Sequence, residues 1–336
     1  MFKIISAAVS TLFLLAVIGI IVAAMIIGKC MSELPDYQQL AKYEPAVTTR
    51  LFAGDGQLLK EYAVEKRLFV PVNKIPNRVK DAFISAEDKK FYTHGGIDYA
   101  GILRAIIGNI KNLGTGRRPA GASTITQQVA KNFLLSSEVS YIRKIKEAIL
   151  AGRMEDAFTK DHILELYLNE IYLGNRSYGV AAAALNYFDK ALDELSIEEA
   201  AYLAALPKGP NNYNPKTKYD AAIARRNWVI SRMKDDGYIT EEEAKEASAK
   251  PLIVVNRGNE FVKDGDYFSE EVRREISKKF GDDMLYEGGL IVRTTLNPHL
   301  QEVATRVFKK GLRDYDTKHG YRGAIATIGN QEEYAT

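Results

Sequence analysis

One cysteine, Cys30, is all that the 336 residues contain, so no disulfide can close within the chain. Histidine is nearly as scarce: His94, His162, His299 and His319 are scattered without the spacing of a metal site, which sets zinc chemistry aside. An excess of one charge is missing too. Lys and Arg number 46 against 43 Asp and Glu, and a net +3 is too small for this length to argue for nucleic acid, whose binding modules gather cations on one face. What remains is a chain that is 46% hydrophobic and 26% charged, enough to bury a large core and long enough for about two domains.

The first long signal is apolar. Ile4 to Gly28 carries no charged residue and is long enough to span a bilayer. A secretory signal has a shorter apolar region and a small-residue cleavage site, whereas this stretch runs on to Gly28-Lys29-Cys30, so residues 1–30 read as an uncleaved anchor. Lys3 and Lys29 flank it on opposite sides, which leaves the charge bias nearly silent on orientation.

Residues 31–71 read as a connector, with apolar and polar residues alternating from Thr49 to Val72 around the turn Gly54-Asp55-Gly56, the pattern of a short hairpin. From 72 to 250 the period is helical. Val79, Phe83 and Ile84 share a face behind Pro76, and Ile163, Leu164, Tyr167, Leu168 and Ile171 form another stripe. Capping boxes at Ser196–Glu199 and Thr240–Glu243 open two more helices, and PKGPNNYNP (207–215) is a loop dense in turn formers. Residues 251–336 change to α+β: strands at Leu252–Val255 and Gly289–Thr295 flank a helix at Ser269–Phe280, another helix follows Pro298, and a strand opens at Tyr321 to Ala326 without a partner, as in the front part of a longer protein. One helical stripe has two readings. Ile102, Leu103, Ile106, Ile107, Ile110 and Leu113, with Arg104, Lys111, Arg117 and Arg118 nearby, suit either a core-facing helix with a basic end or a segment lying in a bilayer interface.

Three polar clusters carry candidate chemistry. EDKKFYTHGG (87–96) places Glu87 and Asp88 at the end of an apolar helix, before a turn containing His94; a solvated helix-end acid is the ordinary reading of such a glutamate. GASTITQQVAKN (121–132) starts a helix with Ser123 and Thr124, residues that usually cap, and continues into Gln127, Gln128, Lys131 and Asn132. Gln127, Gln128 and Lys131 fall on one side of that helix, and so polar a row in a core-forming chain is costly unless it faces a ligand or water. RKIKE (143–147) sets Glu147 three and four positions after Lys144 and Arg143, which taken alone is a surface ion-pair helix.

These segments, with KDHILELYLNEIYLG (160–174) and RRNWVI (225–230), resemble in order and spacing the five motifs of the peptidoglycan glycosyltransferases, glycosyltransferase family 51. The resemblance spans residues 72–250, and GGLIVRTTLNPHLQ (288–301) looks like the linker that joins this domain to a transpeptidase in class A penicillin-binding proteins. It implies a mostly α, lysozyme-like fold with a membrane-touching jaw, placed outside the bacterial cytoplasmic membrane on a single-pass anchor. It also implies a reaction: lipid II adds to a polyprenyl-pyrophosphate-linked glycan, forming a β-1,4 bond with inversion. By the same resemblance Glu87 is the general base, Glu147 positions or assists departure of the pyrophosphate, Lys131 and Arg143 hold the pyrophosphate with help from Lys144, and Ser123, Thr124, Gln127, Gln128, Asn132, Asp88 and His94 are contacts to sugar or phosphate. No cofactor is required, while a magnesium or manganese ion at the donor pyrophosphate, approached by Glu147, is compatible; cell-wall synthesis proteins are the protein partners implied.

The chemistry supports that direction. A departing pyrophosphate needs cations to stabilise its growing charge, and the same cations favour an ionised Glu87 able to accept a proton. A glycoside hydrolase wants its glutamate protonated instead. A membrane-bound peptidoglycan-cleaving enzyme and a non-catalytic scaffold for wall synthesis are the alternatives. Ser231-Arg232-Met233-Lys234 is the one match to the Ser-x-x-Lys pattern of a transpeptidase; it lies within the RRNWVI helix without partner motifs, so this chain is not expected to be acylated by penicillin.

Overall fold

The structure is a computed structural model that describes residues 2–42, 48–62, 66–112, 121–135, 140–255 and 265–320. Leu113, Arg117, Arg118 and the strand expected from Tyr321 lie outside the described residues. The chain divides into two compact units, Met1–Pro45 with Glu65–Arg257, and Ala46–Val64 with Gly258–Thr336.

The first unit is helical. It contains α1 (Phe2–Ser32), α2 (Asn77–Glu87), α3 (Tyr99–Lys111), α4 (Ile125–Leu134), α5 (Tyr141–Ala157), α6 (Lys160–Glu170), α7 (Val180–Phe188), α8 (Ile197–Ala205), α9 (Tyr219–Asp235) and α10 (Glu241–Ala249). Within α1, Phe13–Ser32 is long and apolar enough to cross a membrane. Side-chain caps start several of the others. Thr124 and Gln127 form a complete capping box on α4, Ser140 accepts from Arg143 N on α5, and Thr159 accepts from His162 N on α6. The box expected on α8 is half made, since Glu199 accepts from Ser196 N while the Ser196 hydroxyl has no partner.

The core forms around α8, whose residues from Ala200 to Ala205 are all buried between α2 and α9. Small alanines let these helices approach closely, and Phe83, Leu150, Met154, Tyr167, Tyr202 and Ile230 fill the remaining space. Each such large apolar side chain contributes about 1.5–3 kcal/mol by leaving water. α3 takes no part in this. None of its residues is buried, and Leu103, Ile106, Ile107 and Ile110 stay exposed, so of the two readings of this stripe the core-facing one fails. Leu252 to Val255, expected as a strand, is extended but unpaired into any sheet; Leu252 is buried in the helical core and Val255 N donates to Tyr187 O.

In the second unit the expected hairpin is present, with β1 (Thr49–Phe52) antiparallel to β2 (Leu58–Tyr62). β1 also pairs in parallel with β3 (Ile291–Arg293), which makes a three-stranded sheet rather than an isolated connector. α11 (Asp266–Phe280) and α12 (Asp282–Tyr286) cover it through Ile276 and Leu285 against Leu51 and Leu59, and α13 (Pro298–His319) follows with no buried residue.

Candidate active site

The site is assembled where α2 stops and α4 starts. Asp88, with φ −156° and ψ 71°, breaks α2 directly after Glu87. Its buried carboxylate then accepts from Ile125 N at 3.0 Å, the first residue of α4, and so ties the end of one helix to the beginning of the other. His94 Nε2 lies 2.9 Å from both Asp88 oxygens, and Gly96 N donates to His94 Nδ1 at 3.1 Å. An Nδ1 that accepts leaves the ring proton on Nε2, where it is donated to Asp88. Thr124 Oγ1 donates to Gly96 O at 2.6 Å and closes the loop. Asp88, His94 and Thr124 are thus engaged in holding the two helix ends in register, and Gln127 Oε1 accepts from Thr124 N within the cap of α4.

Glu87 is what that scaffold presents. Gln128 Nε2, one turn into α4, donates to its Oε2 at 2.8 Å. Two cavities meet at Glu87. The first, about 370 Å³, is lined by Glu87, Lys131, Lys144, Glu147, Lys208 and Arg225, together with Gln128 and Trp228. The second, about 350 Å³, is lined by Asp88, Lys89, Asp98, Arg104, Arg232 and Asp236. Ala86, Glu87, Gly121 and Ser123 belong to both walls.

Glu147 of α5 is buried, 1% of its area exposed, and both its oxygens are held: Oε1 by Arg143 Nη1 and Oε2 by Lys144 Nζ at 2.6 Å. Lys144 Nζ also donates to Ser123 Oγ at 2.9 Å, which links α5 to the loop before α4. Lys131 is exposed and reaches the first cavity. Arg143 does not line it, being turned to Glu147 behind the wall, and Asn132 is exposed without lining either cavity.

Burial is the largest influence on the Glu87 carboxyl and pushes it above its ordinary value, whereas the sequence reading makes Lys131 and Arg143 the groups that act on its charge. The Gln128 hydrogen bond opposes this, and the cations that oppose it are Arg225 and Lys208. Burial lowers both of those cations from their ordinary values, while Glu87 pulls them back up. Sequence reasoning assigned no role to Lys208, Arg225 or Trp228. Lys208 falls in the loop 207–215, whose turn formers say nothing of where its side chain goes, and the RRNWVI motif alone does not say which arginine faces outward. The structure separates that pair: Arg226 is fully buried and donates to Lys250 O and Ser248 O, pinning the end of α10, whereas Arg225 faces the cavity.

The donor set does not fit a protein-held divalent ion at Glu147. Both of its oxygens already face cations, and among the described residues no three His, Cys, Asp or Glu gather to ligate a metal.

A family model described as Transglycosylase matches residues 55–234, more than half of the chain, and the chain belongs to that family. Penicillin-binding protein 1A of Rickettsia bellii is 50% identical over 329 residues, covering 98% of this chain and 42% of that protein. Penicillin-binding protein 1A of Escherichia coli is 43% identical over 303 residues, covering 90% and 35%. A crystal structure of penicillin-binding protein 1A from Haemophilus influenzae aligns over 84% of this chain and 32% of that chain, with 31% identity and a TM-score of 0.49. The chain therefore spans about two fifths of the length of the relatives it matches best among these.

Proposed function

We propose that this chain polymerises peptidoglycan glycan strands from lipid II, with Glu87 as general base and the first cavity as the pocket of the donor pyrophosphate. The observation that carries the reading is that cavity: one hydrogen-bonded glutamate opens onto walls bearing Lys131, Lys144, Lys208 and Arg225. The acceptor hydroxyl gives its proton to a Glu87 oxygen as its own oxygen bonds to the anomeric carbon of the donor. The bond from that carbon to the pyrophosphate breaks with inversion, and the electrons leave with the pyrophosphate. Fixed cations at that point stabilise charge as it develops and need no reorganisation. Glu147 serves by keeping Arg143 and Lys144 in place, and the cations are supplied by the protein itself.

The raised Glu87 carboxyl suits a base as well, because proton transfer is most effective when the base's affinity lies near the working pH. Substrates on long polyprenyl chains reach a site held at a membrane, and α1 together with the exposed apolar row on α3 supports that placement, with the anchor single-pass in the bacterial cytoplasmic membrane and the helical domain outside it. Burial of Glu87 also favours a second reading, a lysozyme-like enzyme in which a protonated glutamate cleaves finished glycan.

The test is polymerisation of lipid II by the full chain in detergent, alongside release of fragments from isolated cell wall. The expected result is glycan product from lipid II, none from finished wall, and loss of at least about a hundredfold in Glu87→Gln. Near-normal polymer formation by Glu87→Gln would remove the base, and fragment release without lipid II consumption would establish the cleaving reading.

A further inference from the structure

Trp228 is the single tryptophan of the chain, and it sits on the face of α9 that lines both cavities. Positions 225, 228 and 232 recur at intervals of three and four and so lie along one side of the helix. Arg225 and Trp228 face the first cavity, Arg232 the second. The indole is 41% exposed although Val229 and Ile230, the next two residues, are fully buried. It is not left bare on its faces. The Arg225 guanidinium carbon lies 3.8 Å from the ring centroid, and that of Arg232 lies at 5.9 Å.

What holds Arg225 is unusual for an arginine beside a carboxylate. Its Nε is buried without a hydrogen-bond partner. The adjacent Arg226, by contrast, is fastened by two backbone carbonyls and Asn227. A guanidinium at the end of a long flexible stem adopts one place only if something orders it, and the flat face of an indole does so through stacking and cation–π attraction. Arg225 and Glu87 line the same cavity and interact through charge, so the arginine supports the carboxylate while the oxygen that Gln128 does not hold stays open to the acceptor.

We infer that Trp228 is a positioning residue for glycosyl transfer: its ring clamps the Arg225 guanidinium to the cavity wall opposite Glu87. The inference rests on the reading of Glu87 as the base. The groups around Glu87 are Asp88 at the end of its own helix, Gln128 and Lys131 from α4, Lys144 and Glu147 from α5, Tyr167 from α6, Lys208 from the loop after α8, and Arg225 from α9. Of these, Trp228 stacks on Arg225 alone, so its removal withdraws one defined cation and leaves the rest in place. Withdrawal of a cation disfavours the ionised base, and the acidic limb of the rate profile must then move toward higher pH.

The experiment measures kcat and KM for lipid II as a function of pH with the full chain in detergent, for Trp228→Leu, Trp228→Phe, Arg225→Gln and the double variant of Leu with Gln. Trp228→Leu is expected to lower kcat at neutral pH about five- to tenfold, the worth of one partly desolvated cation–π contact, with KM within about twofold. Its acidic limb should lie at higher pH than that of the wild type. Trp228→Phe keeps a ring under the guanidinium and should restore most of the rate and the limb. In the Arg225→Gln background, Trp228→Leu should cost nothing further, because the ring acts through the arginine. If Trp228→Leu does not fold, Trp228→Gln, which suits an exposed helix position and lacks a ring, replaces it. An unmoved acidic limb in the ring-less variant, or an additional full loss in the Arg225→Gln background, overturns the inference. Glu87→Gln, run beside them, separates the two claims: activity retained there defeats the base itself, whereas its loss together with an unmoved limb defeats only the role of Trp228.

Discussion

Replacement of Gly96 by alanine should destabilise the helical unit strongly, although it adds one methyl group to a turn. Gly96 has φ +85°, a conformation that costs an L-residue roughly 1–2 kcal/mol. A Cβ built there would lie 2.8 Å from both the carbonyl carbon and the oxygen of Ala151, and 3.1 Å from Glu155 Cγ. The nearest of these atoms are backbone of α5, which cannot swing aside, so overpacking adds about 1–3 kcal/mol. Alanine also restricts the unfolded chain, which returns about 0.4–1 kcal/mol. The net loss is about 2–4 kcal/mol, or roughly 5–15 °C in melting temperature for a unit of this size. Gly95 supplies the control next door: its Cβ would meet nothing within 4 Å and its φ is not positive, so Gly95→Ala should melt within about 2 °C of the wild type. Trp228, in the same unit as Gly96, gives a fluorescence signal for the melt of the full chain in detergent. Activity of Gly96→Ala at low temperature should fall as well, because Gly96 N orients His94 and Gly96 O accepts from Thr124, and both bonds hold the junction that presents Glu87. Equal melting temperatures for the two alanine variants would refute the reasoning.

Arg226→Met should lower the melting temperature, by about 2–4 kcal/mol in stability, since the Lys250 carbonyl loses the fully buried guanidinium that donates to it and the Ser248 carbonyl keeps only the longer bond from Asn227; kcat of the folded fraction should be unchanged, and a fall in kcat without a fall in stability would contradict the assignment. Glu87→Gln should melt higher than the wild type at neutral pH. The Glu87 carboxyl is raised in the folded state, so its folded form favours the protonated acid, and stability is lost as pH climbs from the ordinary carboxylate range through the folded value. A glutamine, which can still accept from Gln128, escapes that loss, and the gap between variant and wild type should close as pH falls below the ordinary value of 4.5; melting curves recorded across pH that show no gap at neutrality, or a gap that widens in acid, would count against it.

The helical half of the chain was legible wherever one local rule governed. Periodicity located α2 and α6, and the Thr240–Glu243 box opens α10 as expected, with both hydrogen bonds made. Rules failed where a partner far along the chain decides. Nothing in Thr49 to Phe52 reveals that its parallel neighbour is Ile291 to Arg293, some 240 positions later, because alternation encodes a face and not a partner. The amphipathic α3 could be placed only by knowing that none of its residues is buried among the described ones. At the site, residue types told which side chains were polar but not which were already spent. Thr124 and Gln127 look as available as Gln128 in sequence, yet the first two close a capping box and only the third reaches Glu87. Charge is hidden for the same reason: RKIKE supplies cations in plain view, but Arg143 is turned to Glu147, and the cations that act on Glu87 are Lys208 and Arg225, whose approach depends on how a loop and α9 pack.

That division of labour explains why the clefts need so much fixed scaffolding. A carboxyl raised by burial and restrained by two cations is sensitive to the distance of each, since Coulomb energies in a half-buried setting change by whole kcal/mol over a few ångströms. Asp88 therefore spends its charge on a helix terminus and a histidine, and Glu147 spends its own on two cations. Neither faces the first cavity with an unpaired charge that would compete for an anionic ligand. Glu87 is left as the acid in that wall held by a single neutral donor, Gln128, which restrains one oxygen and leaves the other open. A proton acceptor needs that freedom, and the bonds at Asp88 and Glu147 secure it by occupying those two carboxylates.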